Sequence, residues 1–391
     1  MRSRPPKASK GWLRRTLIAL GFAVAAFAVV IIAQGYRAFG KAPSGARLER
    51  IQSSPNYRDG HFVNAEPLQN DFWGMLGGLL HMSDHVTPQG PVASQKLDPQ
   101  SLSTPPASGL RVTWFGHSSV LVELDGKRVL TDPMWSERAS PLSWLGPKRW
   151  YPPAIELEKL LPLDAVLISH DHYDHLDHGT VLKLDALGVR FVVPLGIGAH
   201  LEYWGVPLER IVELDWWERT DLGGGVAVVS TPARHASGRQ LFDKDRTLWA
   251  GYAVLGPKHR AYYSGDTGLF PGLRDIGERL GPFDVTLIES GQYHASWPDW
   301  HIGPEQAVLA HEMVRGKVML PVHWALLGLA YHGWTEPVER TLLAAQKGRE
   351  QLITPAPGQA IEPAHATQST RWWPKLPFES AEQSPVVSTQ N

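Results

Sequence analysis

The feature that most constrains this chain is a run rich in ionisable side chains, His170-Asp171-His172-Tyr173-Asp174-His175. The apolar segment from Ala165 to Ile168 precedes it and is typical of a buried strand. The run is therefore expected in the loop at the carboxyl edge of a sheet, where binding sites collect. So many imidazoles and carboxylates are costly to desolvate together unless a cation lies among them. The run predicts a divalent metal site.

The spacing divides this run between two ions. His170 and His172 occupy alternate positions of an extended segment and can converge on one ion. Asp174 and His175 follow the bend and project toward a second. The chain has 17 histidines and no cysteine, which excludes disulfides, thiolate ligands and a cysteine nucleophile. Zinc is the expected metal because imidazole and carboxylate ligands suit it, with iron and manganese as alternatives.

The amino terminus predicts a membrane helix. An uninterrupted apolar stretch from Leu17 to Ala33 follows a basic flank made of Arg2, Arg4, Lys7, Lys10, Arg14 and Arg15. No small-residue cleavage site follows it, so an uncleaved signal-anchor is favoured over a cleaved signal peptide. With the basic flank held in the cytoplasm, the rest of the chain is expected on the periplasmic or extracellular side.

Composition predicts four parts of the chain. Residues 1–41 are the basic flank and membrane segment, and residues 42–108, broken by Pro and Gly, are a linker and an extension that wraps the main domain. Residues 109–363 alternate strand-like and helical segments, which predicts sheets covered by helices. A hairpin is expected at Asp125-Gly126. Residues 364–391 are polar and are expected to form a loosely held tail.

Five further motifs lie in order around the run, which itself has the pattern His-x-His-x-Asp-His. They are Trp114-Phe115-Gly116-His117, Thr131-Asp132-Pro133, Leu214-Asp215-Trp216-Trp217-Glu218, Ser264-Gly265-Asp266-Thr267-Gly268 and Pro321-Val322-His323-Trp324. From Ser54 to Gly358 the chain resembles the metallo-β-lactamase superfamily, and within it the N-acylphosphatidylethanolamine-hydrolysing phospholipase D group. The resemblance implies an α/β fold, a four-layer αβ/βα sandwich, here preceded by the transmembrane helix. Periodicity alone indicates only mixed α/β.

The resemblance also implies a dinuclear site with two Zn²⁺ ions per chain. The first ion would be bound by His170, His172 and His235, the second by Asp174, His175 and His323, and Asp266 would bridge them. Asp174 is expected to accept a proton from the bridging water. His301, in His301-Ile302-Gly303-Pro304-Glu305, is expected to orient the phosphate or assist the leaving group, with a purely structural role as the alternative.

Other polar residues near these motifs are expected to have supporting roles. Asp132 is predicted to hold a ligand histidine, because metal-bound imidazoles usually donate their other N–H to a carboxylate or carbonyl. Structural histidine, loop or helix-cap roles are expected for His117, Asp171, Asp177 and His178. Arg234 and Arg239 flank His235 and are candidates to meet a phosphate, with solvated side chains as the alternative.

The predicted function is zinc-dependent hydrolysis of a phosphodiester, of phospholipase D type, on N-acylphosphatidylethanolamine-like lipids through a metal-bridging hydroxide. The alternatives are hydrolysis of another ester, such as a lactone or cyclic phosphate, and a non-catalytic membrane-anchored metal-binding protein. The expected partners are a phospholipid or other phosphodiester and the membrane. A net charge of -1 gives no reason to expect a nucleic-acid partner, and a homodimer is compatible with the sequence.

Overall fold

The computed structural model describes residues 10–366 and 371–389. The basic residues Arg2, Arg4 and Lys7 of the predicted membrane segment lie outside this part of the chain. The α-helices within it are α1 (Lys10–Gly35), α2 (Ala46–Gln52), α3 (Phe72–Gly78), α4 (His178–Ala186), α5 (Gly198–Tyr203), α6 (Gly272–Leu280), α7 (Pro304–Met313) and α8 (Glu336–Gly348).

The strands belong to a small hairpin and two large sheets. The hairpin consists of β1 (Tyr57–Arg58) and β2 (His61–Phe62). The other strands are β3 (Leu110–Trp114), β4 (Val120–Leu124), β5 (Lys127–Thr131), β6 (Ala165–Leu167), β7 (Phe191–Pro194), β8 (Ile211–Leu214), β9 (Arg219–Gly223), β10 (Val226–Thr231), β11 (Gly251–Leu255), β12 (Arg260–Tyr263), β13 (Val285–Glu289), β14 (Val318–Val322), β15 (Gln351–Leu352) and β16 (Ala360–Ile361).

Each large sheet has seven strands, in the orders β16-β3-β4-β5-β6-β7-β8 and β15-β14-β13-β12-β11-β10-β9. Strands β5 to β8 pair in parallel, as do β12 to β15. Apolar side chains from both sheets, among them Val122 and Leu287, are buried together between them. Helices α4 and α5 cover the outer face of the first sheet, and α6 and α7 cover that of the second. The predicted four-layer αβ/βα sandwich is confirmed.

The predicted hairpin at Asp125-Gly126 is present. Leu124 pairs with Lys127 across this two-residue turn, and both turn residues have positive φ, 50° for Asp125 and 85° for Gly126. The strand-like segment from Leu110 to Leu124 forms two antiparallel strands, β3 and β4. It is interrupted because Gly116, with φ 101°, turns the chain back between them.

From Leu17 to Ala33, helix α1 is apolar on every side. A stretch of 18 residues within it has a mean hydropathy of 2.7 and no buried residue, so its length and composition suit a membrane span or a signal sequence. The end of α1 touches the main domain, where the indole Nε1 of Trp144 donates to Gln34 Oε1 at 2.5 Å.

Residues 371–389 lie against the main domain, where the sequence predicts a loosely held tail. Trp373 is buried and packs edge-on to Trp324. Ser388 is also buried and donates through Oγ to Pro298 O at 2.7 Å, and the Thr389 N–H donates to Asp299 Oδ1 at 2.7 Å. A few apolar and hydroxyl side chains hold this mostly polar segment. We call residues 386–389 the carboxyl-terminal strap.

Candidate metal centre

The predicted ligands lie at one edge of the sandwich, where strands from both sheets end. The histidine-rich run follows β6 of the first sheet, and Asp266 and His323 follow β12 and β14 of the second. His235 comes a few residues after β10. Strand ends therefore bring together side chains that are far apart in the sequence.

The first predicted ligand set forms a compact histidine triad. His170 Nε2 lies 2.8 Å from His172 Nδ1, and His235 Nε2 lies 3.4 Å from the same His172 nitrogen. His170 and His235 are buried. Ring nitrogens that converge in this way from three side chains can bind one divalent ion.

The second predicted set converges in the same way. His175 Nε2 and His323 Nε2 lie 3.4 Å apart, and Asp174 Oδ2 lies 3.3 Å from the first and 3.5 Å from the second. His323 has φ 67°, which is uncommon for a residue other than glycine and occurs often at functional sites.

Asp266 lies between the two sets. Its Oδ2 is 3.8 Å from Nε2 of both His170 and His235, 3.1 Å from that of His175 and 3.2 Å from that of His323. Its Oδ1 is buried with no hydrogen-bond partner. A carboxylate that faces both sets and keeps an unpaired buried oxygen has the donor chemistry of a metal ligand. The donor set of buried imidazoles and carboxylates therefore fits divalent metal.

Two glycines allow the backbone to approach closely around Asp266. Gly265 has φ 60°, and a Cβ there would lie 2.7 Å from Ala250 O. A Cβ on Gly268 would lie 2.3 Å from Asp299 O. Any larger residue would displace the loop that carries Asp266.

Supporting groups fix the orientation of the ligand rings. Asp132 makes the predicted contact, with its Oδ2 2.6 Å from His175 Nδ1. Asp132 also accepts from Ser169 N at 2.7 Å and from the Tyr263 hydroxyl. His235 Nδ1 lies 2.9 Å from Trp300 O. These contacts leave the Nε2 atoms of His175 and His235 directed at the centre.

Glu289 is a site residue that the sequence analysis did not identify. Its buried Oε2 lies 2.9 Å from His301 Nδ1 and 3.3 Å from His323 Nδ1. Its Oε1 accepts from the Thr267 N–H at 2.5 Å. The available signal was a carboxylate at the end of the apolar strand β13, at the same edge as the ligands.

His301 and His117 also line the centre. His301 Nδ1 lies 3.7 Å from Asp266 Oδ2, and the ring stacks on His323. His117 Nε2 lies 2.9 Å from Asp174 Oδ2, whereas its buried Nδ1 has no partner. His117 therefore contacts a predicted ligand directly and is more than a hydrogen-bonded core histidine.

Burial and charge set the protonation of the centre. Burial holds the pKa of His170 and His235 well below its ordinary value, so both rings stay neutral and can ligate metal. Burial alone would lower the pKa of His175, but the charges of Asp266 and Asp174 outweigh it and raise that pKa. Burial likewise opposes ionisation of Asp266, yet the neighbouring histidines keep its pKa well below the usual range.

The two candidate phosphate-binding arginines are occupied elsewhere. Arg234 is buried and pairs with Asp299 at 2.9 Å. Arg239 is buried over the Tyr173 ring and donates to Asp171 O and Ala38 O. Neither is solvated, and both hold loops around the centre.

Asp171, within the run, and Asp177 and His178, just after it, have structural contacts. Asp177 is the N-cap of α4, as predicted, and accepts from Gly179 N at 3.1 Å. Asp171 accepts from Gly238 N at 2.7 Å and Thr247 Oγ1 at 2.8 Å. The His178 ring packs at a tilt against Trp204, with 4.8 Å between the ring centroids.

Known proteins with similar sequences point to one family. Residues 127–324, half of the chain, match the model of the beta-lactamase superfamily domain. An uncharacterized protein of Mycobacterium tuberculosis is 46% identical over 336 residues, which cover 82% of this chain and 88% of that protein. N-acyl-phosphatidylethanolamine-hydrolyzing phospholipase D 1 of Caenorhabditis elegans is 40% identical over 228 residues, 56% of this chain and 64% of that protein.

A solved structure agrees with this. Igni18, a metallo hydrolase from Ignicoccus hospitalis, superimposes with a TM-score of 0.50 and 26% identity, covering 64% of this chain and 97% of that one. The match to Igni18, the family model and the histidine and aspartate clusters at the sheet edge all indicate the same family. The chain belongs to the beta-lactamase superfamily and is a metal-dependent hydrolase of the metallo-β-lactamase fold.

Proposed function

We propose that this hydrolase is a dinuclear zinc phosphodiesterase of phospholipase D type that acts on N-acylphosphatidylethanolamine-like lipids. The observation that carries the proposal is the position of Asp266, whose Oδ2 faces His170 and His235 on one side and His175 and His323 on the other. One carboxylate shared by two ligand sets is what a two-metal site needs. When bound, two zinc ions supply hydroxide near neutral pH and neutralise phosphate charge.

Asp174 is the proposed proton acceptor as well as a ligand. Burial raises its pKa, but the charge of His175 and the hydrogen bond from His117 outweigh burial and lower that pKa well below the ordinary value. The carboxylate is therefore ionised and can accept a proton as the attacking water adds to phosphorus. Its contact with His117 Nε2, at 2.9 Å, holds it in place.

His301 is the residue that we propose to orient the phosphate or to assist departure of the leaving group. Its Nδ1 is held by Glu289 at 2.9 Å, so in the neutral ring Nε2 is the nitrogen left for substrate. Its side chain is 15% exposed, whereas that of Glu289 is fully buried. As the bond from phosphorus to the headgroup oxygen breaks, the departing alkoxide takes up the proton that Asp174 accepted from the attacking water, and His301 Nε2 orients the phosphate during this step.

The lipid substrate and the membrane location rest on two observations. The similar protein of Caenorhabditis elegans is named for hydrolysing N-acyl-phosphatidylethanolamine, and its 228 matched residues are 40% identical to this chain. Helix α1 would hold the domain beside a membrane and raise the effective concentration of a lipid substrate. The basic flank before α1 favours a domain outside the cytoplasm.

Metal analysis combined with product identification tests the proposal. The full chain should contain close to two zinc ions and release N-acylethanolamine and phosphatidic acid from vesicles that contain N-acylphosphatidylethanolamine. His172→Ala should lose both metal and turnover, whereas His61→Ala, an exposed histidine outside the centre, should keep them. A metal-free protein with full activity refutes the site. Turnover of a lactone or cyclic phosphate without lipid turnover refutes the substrate class.

A further inference from the structure

Three segments of the main domain carry large apolar side chains that face solvent. Trp73 on α3 is 77% exposed and Leu80, just after α3, is 84% exposed. In the loop of residues 238–245, Leu241 is 90% and Phe242 is 91% exposed. Trp144 is the third, in the loop of residues 139–147. Neighbouring exposed side chains of this size are unusual on a water-facing surface and mark binding sites.

The loop that carries Trp144 lies alongside the end of the proposed membrane helix. The Trp144 ring packs edge-on to Phe27, 6.2 Å between centroids, and its Nε1 donates to Gln34 Oε1. Phe27 is two helical turns before Gln34, so this part of the domain lies level with the last turns of α1. Tryptophan is enriched at membrane–water interfaces, where its amphipathic ring lies at headgroup level.

The second segment contacts both the residues that follow α1 and the histidine-rich run of the metal centre. The Arg239 guanidinium donates to Ala38 O at 2.8 Å, immediately beyond the helix. The backbone carbonyl of Arg239 accepts from the Tyr173 hydroxyl at 2.8 Å, and Tyr173 belongs to the histidine-rich run. Leu241 and Phe242 follow Arg239 after one residue, Gln240. Their exposed side chains therefore extend from a loop anchored between the membrane helix and the site.

The third segment is attached to the loop that carries Trp300 and His301. The Asp71 N–H donates to Ser296 O at 2.8 Å, which joins the start of α3 to that loop. Trp300 in that loop lies against His235 and beneath the Lys244 ammonium, which is 5.6 Å from the ring centroid. Lys244 comes from the second segment, so the loop that leads to His301 contacts both that segment and the start of α3.

We propose that these three segments form a bilayer-docking surface that inserts into the membrane entered by α1 and surrounds the catalytic centre with lipid. We define this surface by Trp73, Leu80, Trp144, Leu241 and Phe242. The inference rests on the proposed anchoring of α1. The bilayer is the favoured occupant because the surface continues from a helix with the length and hydropathy of a membrane span.

This surface gives the lipid reaction a geometry that a tether alone does not. A helix with a flexible linker would leave the domain free to face away from the membrane. Insertion of three separate segments, two of them attached to loops at the centre, keeps its opening at headgroup depth, where a phosphodiester lies. The acyl chains of the substrate then remain in the bilayer while the phosphate reaches the metal ligands.

Site-specific fluorescence tests the docking surface in the full chain, which has no native cysteine. Trp73→Cys and Phe242→Cys, each labelled with an environment-sensitive dye, are reconstituted in phosphatidylcholine vesicles with and without brominated acyl chains. Leu343→Cys is the control, since Leu343 lies on α8 and is 44% exposed. Ala25→Cys reports whether α1 itself is inserted.

We expect bromine to quench the labels at positions 25, 73 and 242 about twofold or more and to leave the label at position 343 unchanged. If the label at position 25 is quenched but those at 73 and 242 are not, the docking surface is refuted and the membrane anchor stands. No quenching at position 25 overturns both. A blue-shifted dye at 73 and 242 without quenching identifies a protein contact, such as a second copy, and also overturns the proposal. None of these readouts depends on catalysis.

Discussion

Substitution of Asp132 by Asn tests whether its contact with His175 prepares a metal ligand. The Asp132 carboxylate is buried and accepts from Ser169 N, from the Tyr263 hydroxyl and from His175 Nδ1, which is 2.6 Å away. Asn keeps one acceptor oxygen and turns an amide N–H₂ toward the histidine. The local backbone conformation suits Asn, because Asp132 has φ 32° and Asn adopts positive φ more readily than most residues.

The expected effect follows from the tautomer of His175. Facing an amide donor, the ring either leaves its Nδ1 proton without an acceptor, at about 1–3 kcal/mol, or moves the proton to Nε2. Nε2 is the nitrogen 3.1 Å from Asp266 Oδ2, so the second choice removes the metal-binding lone pair. Loss of such a supporting carboxylate weakens metal binding about 10–100-fold, and we expect Asp132→Asn to lower zinc affinity by this factor.

Competition with a fluorescent zinc chelator measures this affinity. Asp125→Asn is the matched control, since Asp125 also has positive φ, 50°, and accepts two backbone N–H groups, but lies before β5 whereas Asp132 follows it. We expect the control to bind zinc like the unmodified chain. If folded Asp132→Asn also binds zinc within about twofold of that chain, the orienting role assigned to Asp132 is refuted.

Two further predictions concern Glu289 and His332. Glu289→Gln, assayed with saturating zinc, should reduce kcat about 100-fold because His301 loses its charged partner, and an unchanged kcat contradicts this role. Glu289 Oε2 also lies 3.3 Å from His323 Nδ1, so the same change should lower zinc affinity. Burial lowers the pKa of His332 to about 4, and its Nε2 accepts from Gln292 N at 2.9 Å, so the folded chain holds the ring neutral. The unfolded chain binds the proton first as pH falls below about 6.5, so this stabilisation is complete above that pH and is lost toward pH 4. We expect a loss of about 1–3 kcal/mol, because the His332 ring is partly exposed and solvent reduces the effect. In urea unfolding, the stability of His332→Gln should therefore decrease less between pH 7 and pH 5 than that of the unmodified chain. An equal decrease in the stability of both proteins would contradict the role assigned to His332.

The sequence was most informative where the chemistry is local. The run from His170 to His175 concentrates charge that only a cation or solvent can accommodate, so a metal site followed from a few neighbouring residues. The hairpin at Asp125-Gly126 was predictable for the same reason, since turn type depends on two residues.

Features that depend on contacts between distant segments were harder to predict. Glu289 reads as the last residue of a strand, and its meaning comes from His301 and His323, which join it only in the folded chain. Arg234 had no visible partner, because Asp299 and the carboxyl-terminal strap are remote in sequence. The polar strand β9, Arg219–Gly223, also lacks a hydrophobic pattern and is defined by pairing with β10.

The carboxyl-terminal strap makes the far end of the polypeptide part of the catalytic neighbourhood. Its Thr389 binds Asp299, two positions before His301, and its Ser388 binds Pro298 in the same loop. Shortening the protein by a handful of residues, or fusing a bulky tag there, would thus disturb turnover more than overall folding. A purification handle is better inserted at an exposed turn such as Gly224, at the tip between β9 and β10.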